Sequence, residues 1–238
     1  MTAQQSEAAA RKNSSFFADN DAYAESVSGL TTYRNVRAFV DREVAGLSQL
    51  LDVGNGGVFD YDVTLVDRIT AVDLFLDEGD RDGFPENVTP RRGNALKLDE
   101  PSGLYDGVLL VNVFHHLVGR RARDVERNAV QALAEAERVL APGGKLIIVE
   151  SCVPAWFYAI ERLGFAPLAA FAGTPLMDHP PTVQLTFERL RSLAAARFAL
   201  ERAHSLPMGR WILQFGRRWP SALTPARHHA IVARKRRA

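Results

Sequence analysis

Asp106 to Val113 (DGVLLVNV) is the run that most constrains this chain. It is apolar on both faces of a pleat, so it suits a strand covered on both sides. A second such run, Lys145 to Glu150 (KLIIVE), follows it. Between them Ala122, Val125, Ala129, Leu133, Ala136 and Leu140 recur every three or four positions, the mark of an amphipathic helix, which Pro142, Gly143 and Gly144 stop. Strand, helix and strand in that order imply parallel pairing through a crossover. Upstream, Ser48–Val53, Ile69–Asp73 and Asn87–Arg92 read as three shorter strands, and Val58–Asp67 as one helix of two or three turns. Residues 77–87, charged and carrying Gly79, Gly83 and Pro85, read as a loop or a broken helix. The expected fold class is α/β.

The flanks differ from this middle. Residues 1–15 read as partly disordered, and Phe16, Phe17, Tyr23, Tyr33, Val36, Phe39 and Val40 suggest one or two helices capping the first strand, over residues 1–45. Thr31 or Thr32 is the expected cap of the second helix, which should end near Gly46. Downstream, Trp156–Leu163 reads as a helix, Gly164–Pro181 as an irregular insertion, and Thr186–Ala195 as a helix capped by Thr186. Ala199–His204 and His229–Ala233 have no long helix between them and should pair antiparallel.

The chain has 238 residues, 47% of them hydrophobic, enough to fill one core, so a single domain over 1–238 is expected. A formal net charge of +1 offers no basic excess for nucleic acid. Arginines crowd the chain from Arg189 onward and are expected to be solvated; the alternative is a patch for an acidic ligand or a membrane surface. The single cysteine, Cys152, fits a reducing compartment. No apolar run has signal-peptide form or approaches the roughly 20 residues of a membrane span. A soluble, cytoplasmic protein is expected, with a small-molecule acceptor as partner, no nucleic acid and no membrane; a homodimer is left open.

Four constellations carry chemistry. Gly54, Gly56 and Gly57 follow the first strand, at the sheet edge where α/β folds bind ligands. Nineteen positions after Gly54 comes Asp73, ending the second strand, where a carboxylate can accept hydrogen bonds from ribose hydroxyls. Asp60 and Asp62 would repel a diphosphate and suit a ligand with a cationic end. After the third strand, the Asn94 amide and the Ala95 backbone can meet an adenine edge. Asn112 ends the fourth strand, facing the same cleft, and His115 and His116 follow. One of the two is expected to face that cleft, where a neutral imidazole can take a proton from a hydroxyl. The histidines, at 115, 116, 179, 204, 228 and 229, lack metal-ligand spacing. Magnesium is not indicated, although a carboxylate-bound ion leaves little trace in sequence.

Taken in order, these pieces resemble the class I S-adenosylmethionine-dependent methyltransferases over residues 30–235. LLDVGNGG matches the Asp-x-Gly-x-Gly turn of that family, ITAVDLF its acidic second strand, GNALKLD its adenine-side segment, YDGVLLVNVFHHL its fourth strand and following loop, and RVLAPGGKLIIVE its Leu-x-Pro-Gly-Gly turn. The resemblance implies a Rossmann-like, mostly parallel seven-stranded sheet with helices on both faces and an antiparallel last strand. It implies S-adenosyl-L-methionine as cofactor, with Asp52, Gly54, Asn55 and Gly56 at its methionine end. Asp73 and Leu74 would stand at the ribose, Asn94 and Ala95 at the adenine, and Asn112 and Val113 along the cleft. SGLTTYRNVR resembles the segment that closes over the cofactor, which brings in Tyr33 and Arg34, the latter as partner of the cofactor carboxylate. One departure stands out: Gly57 replaces the third turn glycine that the family carries at the position of Val58.

The implied reaction is methyl transfer to a hydroxyl of a small molecule, a sugar or another natural-product acceptor, with His115 as base and His116 as its neighbour. Residues 151–182, with Trp156, Phe157, Tyr158, Phe171 and His179, are expected to form a lid over the acceptor. The competing readings are methylation of nucleic acid or protein, and a binding protein that has lost catalysis.

Overall fold

A computed structural model describes residues 29–76, 83–118, 123–171, 182–214 and 217–237. The expected helices around Phe16, Phe17 and Tyr23 and most of the loop at 77–87 lie outside the described residues, as does His179. Helix α1 spans Thr31–Val44 and leads into β1, Gln49–Val53. Then come β2 (Arg68–Asp73), β3 (Val88–Arg92), β4 (Tyr105–Val111), α2 (Asp124–Val139) and β5 (Leu140–Cys152). The chain closes with α3 (Ala155–Phe171), α4 (Phe187–Arg197), β6 (Phe198–Ser205), β7 (Trp211–Gln214), β8 (Arg217–Pro220) and β9 (Arg227–Lys235).

Seven strands form one sheet in the order β3-β2-β1-β4-β5-β9-β6. The first five pair parallel, and β9 runs antiparallel between β5 and β6. The strand order reverses at β1 and β4, so the crevice of a doubly wound sheet opens above their carboxyl ends. The central strands are buried on both sides because they face two cores. Leu51, Val108, Leu110, Leu146 and Ile148 pack with α2 and α4; Leu50, Leu109, Ile147 and Val149 pack with α1.

Three expectations are corrected, and one further element was not foreseen. No α-helix follows the glycine turn: Val58–Asp67 holds a single 3-10 turn, Val63–Leu65. Its β-branched valines and Thr64 disfavour a helix, Asp62 caps the turn by accepting from the Thr64 amide, and the buried Tyr61 hydroxyl donates to Asp52. Neither threonine caps α1, whose N-cap is Leu30. Instead Thr32 is buried, accepts from the Gly209 amide at 2.9 Å and donates to the Trp211 carbonyl at 3.0 Å. Helix α3 does not break at Gly164 but runs on to Phe171, since one helical glycine costs only about 1 kcal/mol. Finally, β7 and β8 form a separate antiparallel hairpin between β6 and β9, docked on the start of α1 through Thr32 and Tyr33.

The Thr186 cap is as expected: its hydroxyl accepts from the Arg189 amide at 3.1 Å. Thr186→Ala is predicted to cost about 1 kcal/mol in chemical denaturation. The exposed Thr31→Ala, which removes no cap, should stay within about 0.5 kcal/mol of the parent.

Candidate active site

Three of the four residues from Gly54 to Gly57 have positive φ: Gly54 at 81°, Gly56 at 60° and Gly57 at 89°. That path is open to glycine and strained for other residues. A Cβ on Gly54 would also lie 2.8 Å from a methyl of Val113, so the turn is pressed onto the chain leaving β4. Asn55 holds the turn from inside, donating to Asp52 at 2.8 Å and accepting from the Gly57 amide at 2.9 Å. The Gly56 amide donates to Asp73 at 3.0 Å, which ties the turn to the end of β2. The substitution of glycine at 57 for one at 58 therefore lets the turn double back on itself, and Val58 closes it with a hydrogen bond to the Asn55 carbonyl.

Around this turn stand three carboxylates. Asp52 is buried, and burial pushes its pKa up to about 7, with Asp60 and Asp73 adding to the rise. Burial likewise raises Asp60 to about 6, against the pull of Arg37. Asp73 is raised by burial, opposed by amide hydrogen bonds from Phe75 and Gly56. Carboxylates gathered this way favour a cationic ligand and disfavour an anionic one. Asp60, noted in the sequence only for its charge, is thus part of the site.

Leu74, next to Asp73, is exposed on the rim. Asn94 forms its own turn, accepting from the Leu96 amide at 2.9 Å, with Ala95 packed against the core beneath. Asn112 has φ of 55°, uncommon outside glycine. Its amide donates to the Val149 carbonyl, while its side-chain oxygen is buried with no hydrogen-bond partner among the described residues. A buried acceptor left unmet at a cleft wants a donor. Tyr33 lies near Asp60, which helps raise its pKa, and packs edge-on against His228 at 5.6 Å. Arg34 lies on the exposed face of α1, donating to Thr31 one turn back.

Beyond β4 the chain turns through Phe114–His116. Here Glu150, at 1% exposure, organises the edge. It accepts from the Phe114 amide at 2.7 Å, from the Ser151 amide at 2.9 Å and from His115 Nδ1 at 2.6 Å. With Nδ1 facing the carboxylate, Nε2 of the neutral ring is the basic nitrogen. His116 lies beside it, ring centroids 4.1 Å apart, so the two imidazoles form a pair and do not face opposite ways. Glu161 of α3 is close enough for His115 to oppose the rise of its pKa, which burial carries to about 7. Of the aromatics expected over the acceptor, Trp156 is 61% exposed and Tyr158 donates to Glu126; the Phe171 side chain lies outside what is described. Glu150, Glu161 and His228 escaped notice in the sequence. Glu150 ends an apolar strand, and that was the available signal: a carboxylate so placed must be met by donors.

A doubly wound sheet with a glycine turn after β1, an acid ending β2 and a histidine–carboxylate pair along the same edge defines a class: doubly wound α/β proteins, whose ligands bind at the switch point, here above β1 and β4. Comparison with known proteins narrows it. Residues 51–148 match the family model described as a methyltransferase domain. No curated protein matches the chain by sequence. Among solved structures, the N-methyltransferase NodS of Bradyrhizobium japonicum, in complex with S-adenosyl-L-homocysteine, aligns with a TM-score of 0.54 and 11% identity, over 88% of this chain and 90% of that one. A chain from the complex of the Haloferax volcanii Trm112 methyltransferase activator aligns with a TM-score of 0.63 and 11% identity, over 94% and 97%. The [4+2]-cyclase SpnF aligns with a TM-score of 0.55 and 17% identity, over 86% and 81%. The chain has the fold of these solved S-adenosylmethionine-dependent methyltransferases, and its residues 51–148 match the methyltransferase-domain model.

Asp52 gives a test of the electrostatics. Its folded pKa, about 7, lies above the ordinary 3.8, so its protonation stabilises the fold at low pH and that contribution is lost as pH rises through 7. Asp52→Asn keeps an oxygen for Asn55 and Tyr61 without the charge. Between pH 5 and pH 8 the parent should lose stability relative to this variant by at least about 1 kcal/mol, measured by denaturant titration.

Proposed function

We propose that this protein transfers a methyl group from S-adenosyl-L-methionine to a hydroxyl of a small molecule, with His115 as general base. The observation that carries this reading is the Glu150–His115 pair at 2.6 Å beside the glycine turn. The residues present fit the cofactor. Asp73 offers carboxylate oxygens to a ribose, Asp52 and Asp60 surround a place for positive charge, and the unmet Asn112 oxygen awaits a donor. When bound, S-adenosylmethionine supplies an electrophilic methyl whose bond to sulfur breaks as the acceptor oxygen attacks, the electron pair returning to sulfur.

The chain's own contribution is proton handling and placement. His115 Nε2 takes the hydroxyl proton, and Glu150 fixes the ring's tautomer and steadies the imidazolium that results. Such a base contributes on the order of 10²–10⁴ in rate. The turn through Phe114, clamped to the same carboxylate, keeps the ring from swinging away. Helix α3 brings Glu161 near the ring.

Calorimetric titration with S-adenosylmethionine should show binding coupled to proton release near pH 6.5, because a cation lowers the raised pKa values of Asp60 and Asp52. Affinity should fall as pH drops from 8 to 5. S-adenosylhomocysteine, with an uncharged sulfur, should release fewer protons. Absence of heat at millimolar cofactor would sink the reading. His115→Ala is expected to lose at least about 10²-fold in turnover of labelled methyl while cofactor affinity holds. Undiminished turnover in that variant would remove His115 as base.

A further inference from the structure

A cavity of about 510 Å³ opens where β5 ends and β9 begins, between the first turns of α3 and α4. It adjoins the His115 site through the sheet itself. His229, on its wall, is the direct antiparallel partner of Glu150, so the two side chains share a face. Cys152, also lining it, stands two residues beyond Glu150 on that same face. The volume lies within the range of small-molecule sites.

Most of the wall is apolar: Val153, Pro154, Ala155, Phe187 and Pro225. One side is flat, because the Phe187 and His229 rings stack with centroids 4.3 Å apart and planes within 21°. The two charged groups around it are each partly engaged. Arg227 donates to the Thr224 and Ala226 carbonyls, at 2.6 and 2.8 Å, and Glu188 is paired with Arg191 at 2.7 Å. His229 differs. Its Nδ1 lies 2.9 Å from the Arg227 carbonyl, which can only accept, so Nδ1 carries the proton. Burial lowers the ring's pKa, which keeps it neutral. Nε2 is therefore a hydrogen-bond acceptor beside a flat apolar wall.

We propose that this cavity receives the acceptor, and that it selects a flat, uncharged aromatic ring with two hydroxyls: the ring lies along the Phe187–His229 stack, one hydroxyl donates to His229 Nε2, and the other is left for His115. A sugar, with polar hydroxyls all round, fits walls of Val153, Pro154, Ala155, Phe187 and Pro225 less well than a flat apolar ring. The inference rests on the methyl-transfer reading only in calling the bound ring an acceptor.

Binding of 2-naphthol to the cofactor-free full chain, followed by its fluorescence and by calorimetry, tests the proposal. Saturable one-to-one binding is expected, with none for methyl glucoside. Ala155→Trp, which fills the cavity from an exposed position, should abolish it while the unfolding temperature holds. His229→Phe keeps the stacked wall and should weaken 2-naphthol about tenfold. It should leave 2-methoxynaphthalene, which has no hydrogen to donate, unchanged. No saturable binding, binding indifferent to Ala155→Trp, or equal effects of His229→Phe on both probes would each overturn the proposal. The outcomes separate the two readings. Cofactor binding without naphthol binding removes this cavity and leaves methyl transfer standing. Naphthol binding without cofactor binding does the reverse.

Discussion

A carboxylate buried at the middle of a sheet edge has to be answered by donors, and Glu150 is answered by three. Unmet, its desolvation would cost several kcal/mol. The amides of Phe114 and Ser151 satisfy it from the backbone, and the third donor is His115. Structure and site are coupled in this one residue. The clamp that makes burial of Glu150 tolerable also defines the path of the chain out of β4, and so the position of the imidazole. The Val113 methyls that restrict residue 54 to glycine belong to that path. The glycine turn over β1 is thus held indirectly by the end of β5, across β4.

The turn itself works without the helix that usually backs a glycine loop. A helix N-terminus there would add positive potential suited to a phosphate. Here the chain leaves the turn through Tyr61 and Asp62, and the nearby charges are the carboxylates of Asp52, Asp60 and Asp73. Helix α1 supplies part of the missing support: Asp41 accepts from the Asp62 amide at 2.7 Å, and Arg37 moderates Asp60. The local field is therefore negative, which is the arrangement a sulfonium and an ammonium need.

Much of the sheet could be read directly. Strands buried on both faces have an apolar pattern that nothing else mimics at that length, so β4 and β5 were plain, and β9 with β6 followed from the want of a helix between them. The failures share a physical origin. Thr32 has a capping residue's chemistry, but its hydroxyl is used by Gly209 and Trp211, far along the chain, and nothing local could reveal that. The hairpin β7–β8 is short, four residues a side, and is stabilised by docking on α1 as well as by its own pairing. The expected helix at Val58–Asp67 was lost to its β-branched residues, to the Asp62 cap and to the hydrogen bond of Tyr61 to Asp52. In the site, Asn55 is joined to Asp52 and Gly56 to Asp73 by hydrogen bonds, as their positions at strand ends allow. Those that depend on cross-strand neighbours, Glu150 beside His115 and His229 beside Glu150, became visible only with the register.

That register also sorts the histidines. His228 and His229 are consecutive in β9 and so face opposite ways. His228, at 2% exposure on the α1 side, is driven by burial to a pKa of about 4, so it stays neutral and packs edge-on against Tyr33. His229 faces the other layer with His115. Both of these expose Nε2, since each has Nδ1 tied down, but the ties differ in kind. A backbone carbonyl fixes the tautomer of His229, and burial outweighs what that carbonyl does for a positive ring. A carboxylate fixes the tautomer of His115. Two imidazoles on either side of Glu150, one in the turn after β4 and one in β9, are thereby suited to two tasks. The one at Glu150 can hold a proton through a reaction. The one at Arg227 can accept a hydrogen bond but is poorly placed to keep the proton.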